Sequence, residues 1–136
     1  MTFEEIVKNS PAILSAALLI VMLFQSGLDK VIDKKGSTEF LTEHFKDTFL
    51  SSQVTFMLIS VTLLELVAGL LSVVGIVALV FTNDPAILFW ATIITSITIV
   101  ILFFGQRIAK DYVGAAMLVP YQILSVILLY LTLPFK

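Results

Sequence analysis

Cysteine is missing altogether. That excludes disulfides, thiolate metal sites, iron–sulfur clusters and dithiol–disulfide catalysis for this chain. Histidine occurs once, so one copy cannot supply two histidine ligands to a haem. Charge is sparse: Asp, Glu, Lys and Arg make up 13% of the 136 residues, against about 25% in soluble domains. The net charge of −2 leaves no basic footprint, so no nucleic-acid partner is expected. Apolar residues fill the space instead, at 59% with a mean hydropathy of +1.07. That composition belongs to an integral membrane protein, with membrane lipids as its first partners. The opening Met1-Thr2-Phe3-Glu4-Glu5 is acidic where a signal peptide is basic. No cleaved signal is expected, and the first apolar run stays in the bilayer.

A membrane-crossing helix needs about 20 residues. Four candidate spans are legible, at about residues 10–34, 54–81, 86–104 and 112–133, within a single domain 1–136. Ser10 and Pro11 offer an N-cap and a first-turn proline. The run 11–24 is short, so the helix carries Gln25 onward and ends near Lys34, with Gly36 as its C-cap. Gln25, Asp29 and Asp33 then share one face. In residues 37–50, Leu41, Phe45 and Phe49 fall at i, i+4 and i+8, with Glu39, Glu43, Lys46 and Asp47 elsewhere. This reads as an amphipathic helix, either on the membrane surface or capping the bundle mouth. His44 reads as a surface residue of it rather than a ligand. Residues 82–85 form a polar turn, and Pro120 interrupts the fourth span. The expected fold is all-α: an up-down-up-down four-helix membrane bundle with a short amphipathic helix between helices one and two. Lys30, Lys34, Lys35, Lys46, Arg107 and Lys110 share one side, against Lys8 and Lys136 on the other. That bias places both termini on the periplasmic side of a bacterial inner membrane.

The second span, within residues 62–75, carries a single acid, Glu65. At the centre of a bilayer helix an acid costs about 2.5–3.5 kcal/mol even on lenient scales. Glu65 is therefore expected to face the bundle interior. Gly69 and Ser72 follow at i+4 and i+7, on the same helix face. Gly27, Gly69, Gly75 and Gly114 are candidate packing positions, where small residues let helices approach. At 1.5 Å per residue, Glu65 lies about 15 Å and Gln25 about 13 Å below the cation-rich edge, with Thr98 and Tyr121 at similar depth. Pro120 frees a carbonyl one turn from Tyr121. Glu65, Gln25 and Tyr121 are expected to form a hydrogen-bonded cluster, with Thr98 in the same layer. Desolvation favours the neutral acid, so Glu65 is expected to be protonated much of the time. Such a cluster either fixes helix register or serves as a ligand or proton site. Asp29, Lys30, Arg107, Lys110 and Asp111 sit at the membrane edge. They are either interfacial anchors or a charged mouth for an anionic or quinone-like head group. Thr92, Thr95, Ser96 and Thr98 can bond back to their own helix or across to a neighbour. No metal-ligand set is legible.

Phe24-x-x-Gly27-x-x-Lys30 and Glu65-x-x-x-Gly69-x-x-x-x-x-Gly75 resemble the DoxX family of small four-helix membrane proteins. The segment Glu43-His44-Phe45-Lys46-Asp47-Thr48-Phe49-Leu50 is similar to the linker helix of its Bacteroidetes-type branch. The resemblance covers essentially the whole chain. It implies kinship with subunits of thiosulfate:quinone oxidoreductases, terminal oxidases and redox-stress complexes. The plan also resembles thiol-redox membrane proteins of the vitamin K epoxide reductase and methylamine-utilisation type, whose chemistry a cysteine-free chain cannot run. Gly27, Lys30, Glu65, Gly69 and Gly75 are the positions carried over, without a catalytic role. The function this implies is an accessory subunit of a quinone-linked or respiratory membrane complex, not catalytic on its own. It would carry no cofactor itself, with a quinone or lipid as possible ligand and other membrane subunits or a homo-oligomer as partners. The alternatives are a small proton- or solute-coupled transporter and a purely structural assembly subunit.

Overall fold

The computed structural model describes residues 2–134; Met1, Phe135 and Lys136 lie outside the described residues. Five α-helices follow in order: α1 (Phe3–Ile32), α2 (Lys34–His44), α3 (Val54–Thr82), α4 (Ala86–Ile108) and α5 (Tyr112–Leu131), with a 3-10 turn at Ser51–Gln53. All but α2 are long and apolar enough to cross a membrane. They form an all-helical bundle in which α1 packs on α3, α3 on α4 and α4 on α5. The α1–α5 seam closes the ring and is its loosest join. The outer surface is apolar: Leu14, Leu70, Val113 and Met117 all point away from the bundle.

The first helix begins at Phe3 rather than near Ser10. Thr2 closes a capping box with Glu5: the Thr2 hydroxyl accepts from Glu5 N and the Thr2 N–H donates to the Glu5 carboxylate. Pro11 lies inside α1 and removes a backbone bond to the Val7 carbonyl. The Ser10 hydroxyl donates to that carbonyl at 2.7 Å. The pair read as a helix start is therefore a repaired interior position.

Gly36 is likewise not the C-cap of α1. Asp33 ends α1 and caps α2, its carboxylate accepting from Gly36 N at 3.1 Å. A Cβ on Gly36 would lie 2.3 Å from that carboxylate. The amphipathic helix is accordingly Lys34–His44, shorter than 37–50, and Phe45 folds inward just after it, 6% exposed. The 82–85 turn forms as read, with Asn83 in the left-handed region at φ 56°. Its side chain accepts from Asn9 across the bundle at 2.8 Å.

The two ends of the bundle are built differently. Ala12, Ala16, Leu19, Leu79, Leu88, Ile99 and Leu128 form one buried cluster toward the α3–α4 turn. Small side chains draw the helices together there. At Gly75 a Cβ would fall 2.6 Å from the Leu88 Cα, so the α3 and α4 backbones touch. Ser96 and Ser125, both buried, share a hydrogen bond between α4 and α5. The opposite end, under α2, is hollow.

Candidate functional site

Glu65 faces inward as its cost in hydrocarbon requires, and is 1% exposed. Its companions come from the last turns of α1. Lys30 Nζ lies 3.0 Å from Glu65 Oε2 and 3.3 Å from Oε1. The Ser26 hydroxyl donates to Oε1 at 2.8 Å. Lys30 also donates to the Ser26 hydroxyl at 2.7 Å and the Ser26 carbonyl at 3.2 Å. Ser26 and Lys30 are one turn apart, so both reach the same side of α1. Gly27, beside them, permits the approach: a Cβ there would sit 2.8 Å from Leu66 on α3. Lys30 thus reaches both carboxyl oxygens of Glu65.

The expected partners lie elsewhere. Gln25 is exposed and Tyr121 half-buried. Both line an open groove of about 700 Å3 between α1 and α5, with Ala17, Met22, Ser26 and Asp29. Successive helical residues are turned about 100° from each other, so Ser26 meets Glu65 while its neighbour Gln25 is exposed. Thr98 is fully buried, but its hydroxyl donates to the Ile94 carbonyl of its own helix. Thr92 and Thr95 do the same to Leu88 and Ala91.

The charged mouth is dispersed too. Only Lys30 reaches Glu65. Arg107 is exposed and stacks over the Tyr112 ring at 4.5 Å. Lys110 is exposed at a left-handed turn position, φ 60°. Asp111 caps α5, accepting from Gly114 N at 2.9 Å. Gly114 is thus a capping position as well as a close approach to α4: a Cβ there would fall against that carboxylate and 2.9 Å from Gln106 Nε2. Gly69, by contrast, meets the Phe24 ring of α1, and Gly75 meets Leu88, as packing positions should. Asp29 is exposed at the cavity rim.

The Lys30–Glu65–Ser26 group forms part of the lining of a cavity of about 830 Å3 between α1, α2, α3 and α4. Helix α2 roofs it. His44 stacks on Phe40, with ring centroids 5.3 Å apart, and meets Phe45 edge-on. His44 Nε2 lies 2.7 Å from Gln106 Oε1, which makes it the donor, and 3.9 Å from Asp111. The histidine read as a surface residue is therefore the pin that fastens the roof to α4. Phe45 packs beneath it toward Gly105. Phe40 and Phe56, both well exposed, border the cavity on the apolar side, and Asp29 and Asp33 border it at the polar rim.

Ser26 and Gln106 were not singled out by sequence reasoning. The one-turn spacing of Ser26 and Lys30 was the signal for the first. Nothing local marks Gln106, whose role depends on where α2 lands. Gln122 was also missed; its Oε1 is buried without a partner. Among the described residues no group of His, Asp and Glu could hold a metal ion. The chain matches no protein-family model, no curated protein and no solved structure.

Proposed function

We propose that this chain is a membrane-embedded, non-catalytic subunit that takes the polar head of an amphipathic molecule into the cavity beneath α2. The carrying observation is the cavity itself: about 830 Å3, mostly apolar, with a buried ion pair on its wall. Small-molecule sites typically occupy about 300–1,000 Å3, with apolar walls and a few placed polar groups. The resemblance to the DoxX family supplies the setting: an accessory role in a quinone-linked or respiratory assembly, with a quinone or lipid as ligand. The redox group would arrive with a partner subunit. The setting is the bacterial inner membrane, with both termini periplasmic. Lys34, Lys35, Lys46, Arg107 and Lys110 support that orientation, while Lys30 turns inward.

Purification in mild detergent, followed by mass spectrometry of bound small molecules, tests the reading. Wild type should retain a lipophilic molecule that Val61→Trp, filling the cavity, loses. Equal content in both proteins contradicts it. Partner chains carrying haem, flavin or quinone should co-purify; a chain that purifies alone contradicts the assembly role.

A second reading is a small proton- or solute-coupled carrier. The Lys30–Glu65 pair, beside a cavity with both an apolar and a polar border, favours it. Uptake into proteoliposomes that Glu65→Gln abolishes supports this reading, and uptake indifferent to that change removes it.

A further inference from the structure

Gln25 stands apart from the rest of the lipid-facing surface. Within residues 58–78 of α3, 89–104 of α4 and 115–129 of α5, every exposed residue is apolar or aromatic. Residues 11–28 of α1 follow the same rule except at Gln25, which is exposed. Its neighbour Ser26 bonds to Glu65, and Glu65 lies about 16 Å along α3 from Val54. Gln25 therefore sits at membrane depth rather than at the edge. Its amide makes no hydrogen bond to any described residue, and neither does the Tyr121 hydroxyl on the other wall of the same groove. A polar group in hydrocarbon without a hydrogen bond is unfavourable.

Gln25 also belongs to a seam. Leu14, Leu18, Val21, Gln25, Leu28 and Ile32 are spaced alternately four and three residues apart, and all are exposed. That is the heptad spacing of a left-handed helix pair. The seam carries no charge. Leu18, Val21 and Gln25 form one wall of the groove along the α1–α5 seam, the loosest join of the bundle. Apolar spacing alone selects no partner on a lipid-facing helix. The amide does. It carries both donors and an acceptor, so two copies of Gln25 can satisfy each other, whereas lipid tails offer neither. All copies insert in one orientation, so a two-fold axis along the membrane normal sets α1 parallel to α1 with like residues facing. Glutamine side chains bond across helices in membranes. One polar residue in a heptad seam fixes its register and the number of helices.

We propose that the outer face of α1 is a dimer interface with a second copy of this chain, centred on a hydrogen bond between the two Gln25 side chains. The proposal does not depend on what the cavity beneath α2 holds.

Because the chain has no cysteine, each introduced thiol is unique. Val21→Cys and Leu28→Cys on the seam are compared with Leu70→Cys on α3 and Val100→Cys on α4, which are exposed on other helices. The full chain is oxidised in native membranes and in liposomes. The two seam thiols should give a disulfide-linked dimer and the two control thiols should not. Equal cross-linking at all four positions, or a seam thiol that couples to a different protein, overturns the proposal. Energy transfer between labelled copies, diluted with lipid, then reads the dimer dissociation constant. Gln25→Leu should raise it about threefold or more, the loss of an interhelical hydrogen bond in a membrane, with an unchanged unfolding temperature. Gln25→Asn, which keeps the amide, should restore most of the affinity. A chain that stays monomeric at every protein-to-lipid ratio contradicts the interface. So does a dimer that Gln25→Leu leaves equally tight, or a lipid that co-purifies with monomeric wild type and is lost in Gln25→Leu.

Discussion

The bundle has a solid end and a hollow end, made from the same four helices. At the solid end Gly75 and Leu88 bring two backbones into contact, beside a buried cluster that includes Ala12 and Ala16. At the hollow end α2 spans a gap, with Lys30, Glu65 and Ser26 tied to one another on its wall. Within hydrocarbon, helix association rests on close packing and interhelical hydrogen bonds rather than on the hydrophobic effect. The solid end supplies the packing. That frees the hollow end to hold a cavity and an ion pair that packing alone would not favour. Close backbone packing and the cavity are thereby placed at opposite ends of the helices.

The largest expected effect falls on the hollow end. Lys30→Met leaves Glu65 buried without its cation, and should destabilise the fold by about 3–5 kcal/mol. Unfolding in detergent measures it. A smaller loss would mean that water reaches the carboxylate and that the cavity is open rather than lined. Next comes the solid end. Gly75→Ala forces a methyl against the Leu88 backbone and should cost about 1–3 kcal/mol. It should not change ligand retention, because Gly75 lies away from the cavity. If it does, the two ends are coupled and the division above is wrong.

How much of this was legible depended on whether a feature was set by distance along a helix or by direction around it. The four spans, the 82–85 turn and the inward orientation of Glu65 follow from apolar length and from the cost of an acid in hydrocarbon. Depth along the helices placed Gln25, Tyr121 and Thr98 in Glu65's layer. Depth carries no information about azimuth, and Gln25 turns to the outer groove while Thr98 bonds to its own backbone. Lys30 sat nearer the edge in that accounting. Its long flexible stem reaches back into the bundle, as lysine stems do. His44 was unreadable for another reason. Its partner Gln106 is distant in sequence, and only the docking of α2 brings them together.

Smaller effects sharpen the comparison further. His44→Ala removes the roof's pin to Gln106 and should cost about 0.5–1.5 kcal/mol. Hydrogen exchange should speed up in α2 while α3 and α4 near Gly75 stay protected. Uniform acceleration would show that the roof is part of the core. The least effect belongs to the exposed Lys46–Glu43 pair. The hydrogen bond from Lys46 to Glu43 holds the lysine above its ordinary value. A raised lysine stabilises the fold fully below its ordinary value and loses that contribution as pH rises on through the raised one. Both groups are solvated, so Glu43→Gln should leave the unfolding temperature at neutral pH unchanged.

A double-mutant cycle on Lys30 and Glu65, read by unfolding in a defined detergent or nanodisc, is the decisive measurement. If the two side chains meet inside the bundle, Lys30→Met combined with Glu65→Leu should recover most of the stability that Lys30→Met loses, with a coupling of about 1 kcal/mol or more. Additive losses, with no coupling, would contradict an inward-facing pair and the cavity it lines.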